Sequence, residues 1–550
     1  MAEKKVIYIM TFTKLWADVA QKMKEEFGWE PVLYVGLRPD GQPTNETVFD
    51  DVAFYDPNSA RRATWPDFLN QKNIASVDGK ILLALSKWES VTYELMTRYL
   101  SNKNDGCYSN RRFFYWKILR IWITIFKQFK PDCVISGSMP HRIFDLVVHQ
   151  LCDFYGIPFI APEGTNIPHL GYAETSVFNH GGLFSNDDGK DEIKRELISA
   201  RTNKFLEKTR MPYSVGKPTT FSLTGLFSES RKTDNLSYKK RILNYIPQLF
   251  LVPAKMTALI IKGRLSAKSE TTYRFRKFET GDGDSPCPDN LLNLLVEEVK
   301  TLRRVSIAKR WYKRRIVEYD RSKPFIYFAA NFMPERSTVP DSGYFHDFHL
   351  VMDILDKAVP ADWNIYYKEH PRTFTKPIDL DNPRDVRYYT RLTRACPRLR
   401  FLDPMTDPFT LLDSCMAVAI ARGTVGWEAI ARGKPVLIFG SCWFDNGPGV
   451  FSVKSFKDCQ KAIDQIQGGF KQDEKELYGF LNSVENICDD ILFYFKDNVE
   501  VRAKMRKGQW FCKSNIEGYK EKVELFANIL IKGYRRFQGN RPEFDFSKML

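Results

Sequence analysis

Apolar and polar positions alternate along the chain in blocks that change period. "KKVIYIMTF" is a short apolar run, "KLWADVAQKMKEEFG" repeats its apolar residues at helical spacing, and "EPVLYVG" is apolar again, so the first 36 residues predict strand, helix, strand. The rhythm returns in "KPDCVISGS", a helical stretch over Met139–Tyr155 and "GIPFIAPEG". Runs such as "CVIS" and "PFIA", apolar throughout and ended by glycine turns, predict strands buried on both faces of a parallel sheet. The first 220 or so residues therefore predict a Rossmann-like domain with a helical insertion over about Phe68–Lys130.

A second α/β block starts at "KPFIYFAANF", with strands expected at "PFIYFAA", "NIYYK", "LRFLD", "MAVAIA" and "PVLIFG". The last eighty residues, from "EKELYGFLNSVENICDDILFYF", predict helix throughout. The expected domains are 1–225 (Rossmann-like, acceptor side), 226–320 (basic helical linker), 321–465 (Rossmann-like, nucleotide side) and 466–550 (helical). Two Rossmann-like halves facing a cleft form the outline of a GT-B architecture, an α/β fold whose ligands lie outside the carboxyl ends of the strands.

Composition narrows the partners. Across 550 residues Lys and Arg outnumber Asp and Glu by 82 to 67, a net charge of +15, which favours a polyanion: nucleic acid, an anionic membrane or a phosphorylated substrate. Much of it is local, since Arg231–Phe278 holds twelve Lys or Arg against two Asp or Glu. That segment reads either as a solvated linker with a core helix or as an interfacial segment docking on an anionic bilayer. The ten cysteines include no CxxC pair, which points to free thiols in a reducing cytoplasm and to no metal site. The start "MAEKKVIYIMTF" reads as a strand rather than a signal peptide, and no stretch of about eighteen uncharged apolar residues occurs. A cytoplasmic protein, peripheral on the membrane at most, is expected.

Candidate chemistry gathers at the predicted strand ends. "YYKEHP" brings Lys368, Glu369, His370 and Pro371 past the end of a strand, facing the cleft, where lysine supplies charge and imidazole donates to phosphate. A structural His-Pro turn is the alternative. "ARGTVGWEAIARGKPVLIFG" places Gly423, Thr424 and Gly426 before a helix expected to begin near Trp427, an anion site built from backbone amides. It also reads as a helix cap with glycines for a tight turn, and Glu428 as a residue favoured by the helix dipole. "NFMPERSTVPDSGYFHDFHLVMDIL" packs Glu335, Arg336, Thr338, Asp341, His346 and Asp347 into one loop after a strand, which reads as a site or else as a solvated loop.

In the order "PERSTVPDSGYF", "YYKEHP", "FLDP", "ARGTVGWEAIARGKPVLIFG", "WFDNGPGVF", Lys323–Val453 strongly resembles the C-terminal domain of the capsule polysaccharide biosynthesis proteins, whose best understood members are Kdo transferases. The resemblance implies a GT-B glycosyltransferase that takes a sugar from a nucleotide donor, CMP-Kdo in the known cases, to a glycan or glycolipid acceptor without a metal or other cofactor. It implies Lys368, His370 and the Gly423–Thr424 turn as holders of the nucleotide phosphate and Glu428 as the ribose partner. Arg336 and Thr338 become donor-side contacts.

For catalysis, Glu163 in "APEGTNIP" is the candidate acid/base from across the cleft, with a turn cap as the alternative. The related Kdo transferases are retaining, which implies a carboxylate nucleophile or front-side attack, with Asp145 and Asp341 as candidates. His141 and Arg142, in "MPHRIFD", are expected to bind acceptor or the sugar carboxylate, or else simply to start a helix. A CDP-glycerol-type polyol-phosphate transferase of teichoic-acid-like synthesis and a non-catalytic basic module are the competing functions; nucleic acid is not the expected partner.

Overall fold

The computed structural model describes residues 3–36, 52–97, 108–177, 182–184, 198–213, 303–333, 335–374, 384–494 and 516–539. The basic segment Arg231–Phe278 lies outside the described residues.

The N-terminal domain runs β1 (Lys4–Thr11), α1 (Lys14–Phe27), β2 (Trp29–Gly36), β3 (Ala53–Phe54) and α2 (Pro57–Arg61). The helical insertion follows as α3 (Gly79–Thr97) and α4 (Tyr108–Phe129), then β4 (Cys133–Ser136), α5 (Ile143–Tyr155), β5 (Phe159–Gly164), β6 (Leu170–Glu174) and α6 (Ala200–Arg210). After a helix over residues 303–313 come β7 (Phe325–Ala329), α7 (Phe348–Ala358), β8 (Asn364–Lys368), α8 (Val386–Ala395), β9 (Leu399–Leu402), α9 (Pro408–Ser414), β10 (Ala417–Ile420), α10 (Thr424–Ala431), β11 (Val436–Ile438), β12 (Val450–Ser452) and α11 (Phe456–Gln467). The chain closes with α12 (Glu474–Ile487), β13 (Asp489–Asp490) and α13 (Tyr519–Gly539).

The second sheet has the order β9-β8-β7-β10-β11-β12, every pair parallel. Read from its first strand, this is the doubly wound order 3-2-1-4-5-6 of a Rossmann sheet. The first sheet repeats it in β3-β2-β1-β4-β5, then adds the antiparallel strands β6 and β13 at one edge. Both sheets are covered on both faces, and successive residues of one strand enter different cores. In β1, Ile7 and Ile9 join one cluster and Val6 and Tyr8 the other; in β7, Ile326 and Phe328 separate likewise from Phe325 and Tyr327. That double burial is why the strands read as unbroken apolar runs.

One feature departs from the sequence expectation, and two packing contacts add to it. The C-terminal stretch is not helical throughout, because Asp489 and Asp490 pair with Gly171 and Leu170 as an edge strand. A strand of two charged residues carries no apolar period to detect. Helix α13 then packs back on the N-terminal domain, with the Trp29 and Tyr534 rings 4.8 Å apart and those of Trp16 and Phe526 5.1 Å apart. Conversely α6, within the first 225 residues, packs on the C-terminal domain: Phe205 stacks on Trp427 and Arg210 Nε donates to the Ala431 carbonyl at 2.7 Å.

Seven of the cysteines lie among the described residues, all buried and unbridged. Burial pushes the Cys415, Cys442 and Cys459 thiols up to about 12, so they act as small apolar side chains. No helix among the described residues is long and apolar enough to cross a membrane.

Candidate active site at the domain junction

In an open doubly wound sheet the crevice lies where the strand order reverses. For the second sheet that point falls between β7 and β10, and the loops leaving these strands carry Arg336, Asp341 and Arg422. The β7 loop crosses to the other domain. Val339, which precedes a cis Pro340, is buried in the N-terminal core, while Arg336 reaches the end of β5. There its Nη1 and Nη2 donate to Glu163 Oε2 and Oε1 at 2.8 and 2.6 Å, a two-pronged guanidinium–carboxylate bridge between the domains.

The bridge is part of a four-residue charge cluster. Arg336 Nε lies 3.0 Å from Asp341 Oδ2, Arg422 Nη1 lies 2.6 Å from the same oxygen, and Arg422 Nη2 lies 3.7 Å from Glu163 Oε1. Glu163 is 8% exposed and Asp341 1%. Burial works against charge on Arg336, but Glu163 and then Asp341 outweigh it and raise the guanidinium pKa. A second crossing contact, Trp443 Nε1 donating to Asn166 Oδ1 at 2.9 Å, follows in the loop after Glu163.

Lys368 closes β8 and is 6% exposed. Burial lowers its pKa to about 8, against the pull of Glu428, Asp403 and Asp407. Across the strand ends, burial raises Glu428 to about 7, and Lys368 then Arg432 pull it down. Each of these two buried groups favours the charged form of the other, and burial opposes both charges.

Strand alternation separates Lys368 from its neighbour. Glu369 does not face the cleft: it is fully buried, with Arg384 Nη1 donating to its Oε2 at 2.6 Å and the Tyr367 and Tyr389 hydroxyls donating at 2.8 and 3.0 Å. Arg384 also donates to the Asn331 carbonyl, and Asn331 Nδ2 to the Arg422 carbonyl, so one buried network ties β8 to the loops after β7 and β10. His370 remains half-buried beside the Phe332 ring, with centroids 5.5 Å apart. Its Nδ1 accepts the Arg372 N–H at 3.1 Å, which in the neutral ring leaves the proton on Nε2.

The glycine turn caps α10 as expected, but that helix begins at Thr424, three residues before Trp427. Gly423, with φ +143° and ψ 169°, takes a conformation open to glycine and strained for other residues. Gly426 lies inside the helix and its N–H is already given to the Gly423 carbonyl at 3.2 Å, so Thr424 and Val425 hold the leading amides. A side chain at Gly426 would stand 2.4 Å from Ile420 Cδ1 and 2.8 Å from the Phe444 ring, so close packing is what requires that glycine.

The other candidates are placed as follows. Thr338 is fully buried and its hydroxyl donates to the Phe332 carbonyl at 3.0 Å, supporting the loop from within. Asp145 lies in the first turn of α5, where its carboxylate accepts the backbone N–H of Arg142 at 2.7 Å and of His141 at 3.1 Å. It is wholly buried, which raises its pKa to about 6 against those hydrogen bonds. His141 Nδ1 meets the Met139 carbonyl at 3.1 Å. His141, Arg142 and Asp145 thus gather around the start of α5, past β4 of the first sheet, rather than in the charge cluster. Asp347 caps α7 by accepting the His349 N–H at 3.1 Å.

Arg422 and Asn331 join the candidate site, and the sequence reading passed over both. Arg422 stands directly before the glycine turn, a position from which its importance could have been read. Arg384 gave no such signal, because its partner Glu369 lies fifteen residues away across an irregular segment.

Comparison with known proteins sets beside this geometry several loosely similar structures. S. aureus MnaA with UDP is 12% identical, covering 94% of this chain and 100% of its own, at a TM-score of 0.21. The UDP-GlcNAc 2-epimerase of Neisseria meningitidis is 13% identical over 91% of this chain and 100% of its own, at 0.22. Thermosulfurimonas dismutans KpsC, a beta Kdo 2,7 transferase, is 16% identical over 30% of this chain and 52% of its own, at 0.19. Scores this low add nothing to the strand order, which carries the fold on its own. No curated protein sequence matches the chain. Residues 298–468, which contain the entire second sheet and both of its switch-point loops, match the model of the capsule polysaccharide biosynthesis protein family.

Proposed function

We propose that the chain is a glycosyltransferase of surface or capsular polysaccharide synthesis, moving a Kdo-like sugar from a CMP-sugar to a glycan or glycolipid acceptor. The observation that supports this best is the gathering of donors at the strand ends of the family-matched sheet: Arg336 after β7, Lys368 closing β8 with His370 just past it, and Arg422 with the leading amides of α10 after β10. An anionic leaving group needs such donors, because positive groups fixed in a partly dry site stabilise the departing phosphate without reorganising.

In this reading Lys368, the His370 Nε2–H and the Thr424 and Val425 amides bind the nucleotide phosphate, and Glu428 accepts from the ribose. Arg336 and Arg422 face the transferred sugar, with Asp341 holding both guanidinium groups in place; Thr338 supports their loop. Glu163 takes the acid/base role when a ligand anion occupies Arg336 and releases its carboxylate. His141 and Arg142 line the acceptor side, and Asp145 fixes the turn that carries them.

A thermal-shift screen of the full chain against CMP, CDP, UDP, GDP and ADP tests the reading, since a ligand of the folded state raises its melting temperature. Selective stabilisation by CMP is the expected result. Preference for CDP would favour polyol-phosphate transfer, and no shift with any nucleotide would overturn the site.

A further inference from the structure

We propose that the outer face of α4, in the helical insertion of the N-terminal domain, is a docking surface for an anionic lipid bilayer. Helix α4 carries Arg111, Arg112, Lys117, Arg120 and Lys127 and no Asp or Glu in its 22 residues. Its inner face, including Phe114, Tyr115, Ile118, Leu119 and Trp122, is buried in the first core. At helical spacing the opposite face presents the exposed Phe113 and Arg120, flanked by the partly buried Arg112 and by Trp116, which also packs on the core.

Phe113 is 61% exposed and Tyr108 57%. The Arg112 guanidinium stands over both the Tyr108 and Trp116 rings, 5.4 and 5.0 Å from their centroids, so cation and aromatics form one stripe. On the neighbouring helix α3, which carries Glu89 and Glu94 as well, Leu83 is 77% exposed between Lys80 and Lys87, the latter paired with Asp153 at 3.1 Å. Three of the four most exposed large hydrophobic residues described therefore belong to this one helix pair.

Basic side chains beside exposed aromatic and aliphatic ones suit the boundary between lipid headgroups and acyl chains: the cations meet anionic headgroups while the apolar tips enter below them. A nucleic acid would use the charges and rings but has nothing to offer Leu83. The surface also lies toward the domain junction, since the Tyr344 hydroxyl, on the β7 loop, donates to the Lys87 carbonyl. A membrane-borne acceptor would thus be presented beside the cleft, although the surface itself requires no nucleotide site.

The test is sedimentation of the full chain with vesicles of phosphatidylcholine alone or with about 30% phosphatidylglycerol, comparing wild type with the variant Arg112→Gln, Phe113→Ser, Arg120→Gln. Wild type should bind the anionic vesicles only and lose binding steeply as salt rises. Each surface charge contributes about fivefold to partitioning, so the triple variant should bind at least about tenfold more weakly at an unchanged melting temperature. Phe113→Ser alone, which keeps every charge, should weaken binding less. Undiminished binding by the triple variant would move the contact elsewhere in the chain and overturn the proposal. So would a wild type that ignores anionic vesicles, or one that binds heparin but no vesicle.

Discussion

Removing the Arg336 guanidinium should loosen the junction between the two domains by an amount the geometry sets. Arg336→Gln deletes two charge-assisted hydrogen bonds to Glu163 and the 3.0 Å pairing with Asp341, leaving two buried carboxylates. Breaking a buried pair by removing one partner costs about 3–5 kcal/mol. Here Arg422 stays within 3.7 Å of Glu163 and 2.6 Å of Asp341, so the abandoned charges are partly neutralised and about 2–4 kcal/mol is expected. Glu163→Gln keeps an acceptor and leaves Arg336 paired with Asp341, for a smaller loss of about 1–2 kcal/mol. Urea unfolding of wild type, both single variants and the double variant completes a cycle. With the bridge coupling the two residues, the double variant falls short of the sum by about 1.5–3 kcal/mol, the worth of hydrogen bonds to charged groups. Losses that add to within about 0.5 kcal/mol would refute the coupling.

Three further outcomes are expected. Burial holds Lys368 near 8, so it is charged below that pH and loses its charge as pH rises through it; a bound phosphate favours the charged form, so nucleotide affinity should fall from about pH 8 upward and lose this dependence in Lys368→Met, whereas a flat titration from about pH 7 to about pH 9.5 would contradict the pairing. Gly423→Ala should lower stability by about 1–3 kcal/mol in a denaturant melt through backbone strain alone, since the nearest atom to the added methyl is Asn331 Nδ2 at 3.5 Å; an unchanged midpoint would show the turn is free to relax. Glu369→Gln should cost about 3–5 kcal/mol because Arg384 loses its buried counter-charge, while replacing both residues with apolar ones should cost clearly less than the two single losses together; simple additivity would argue against the network.

The second sheet was largely legible because its strands are buried on both faces. "NIYYK" is Asn364–Lys368 and "MAVAIA" contains Ala417–Ile420, each bounded by polar turns. The edge elements were not: β12 is three partly exposed residues and β13 two aspartates, too short for a period. Residue types at the strand ends pointed to the crevice, but direction and partner did not follow from type. Glu369 and Lys368 are adjacent in sequence, yet one completes a buried tyrosine–arginine network and the other remains at the strand end under the electrostatic influence of Glu428. Glu163 was legible as a carboxylate at the end of β5; that it meets Arg336 depends on how two domains close, which no local pattern encodes. Helix α10 started early because Gly423 caps it directly, with Gly426 kept small by Ile420 and Phe444 rather than by a turn.

The most direct test of the central claim is calorimetric titration of the full chain with CMP and with cytidine, in wild type and in His370→Ala. If the ends of β8 and β10 hold the donor phosphate, CMP should bind more tightly than cytidine and His370→Ala should weaken CMP at least about tenfold while leaving cytidine unchanged, because a hydrogen bond to a charged group is worth about 1.5–3 kcal/mol. Equal affinities for CMP and cytidine, or a His370→Ala variant that binds CMP as wild type does, would contradict the assignment of the phosphate to this site.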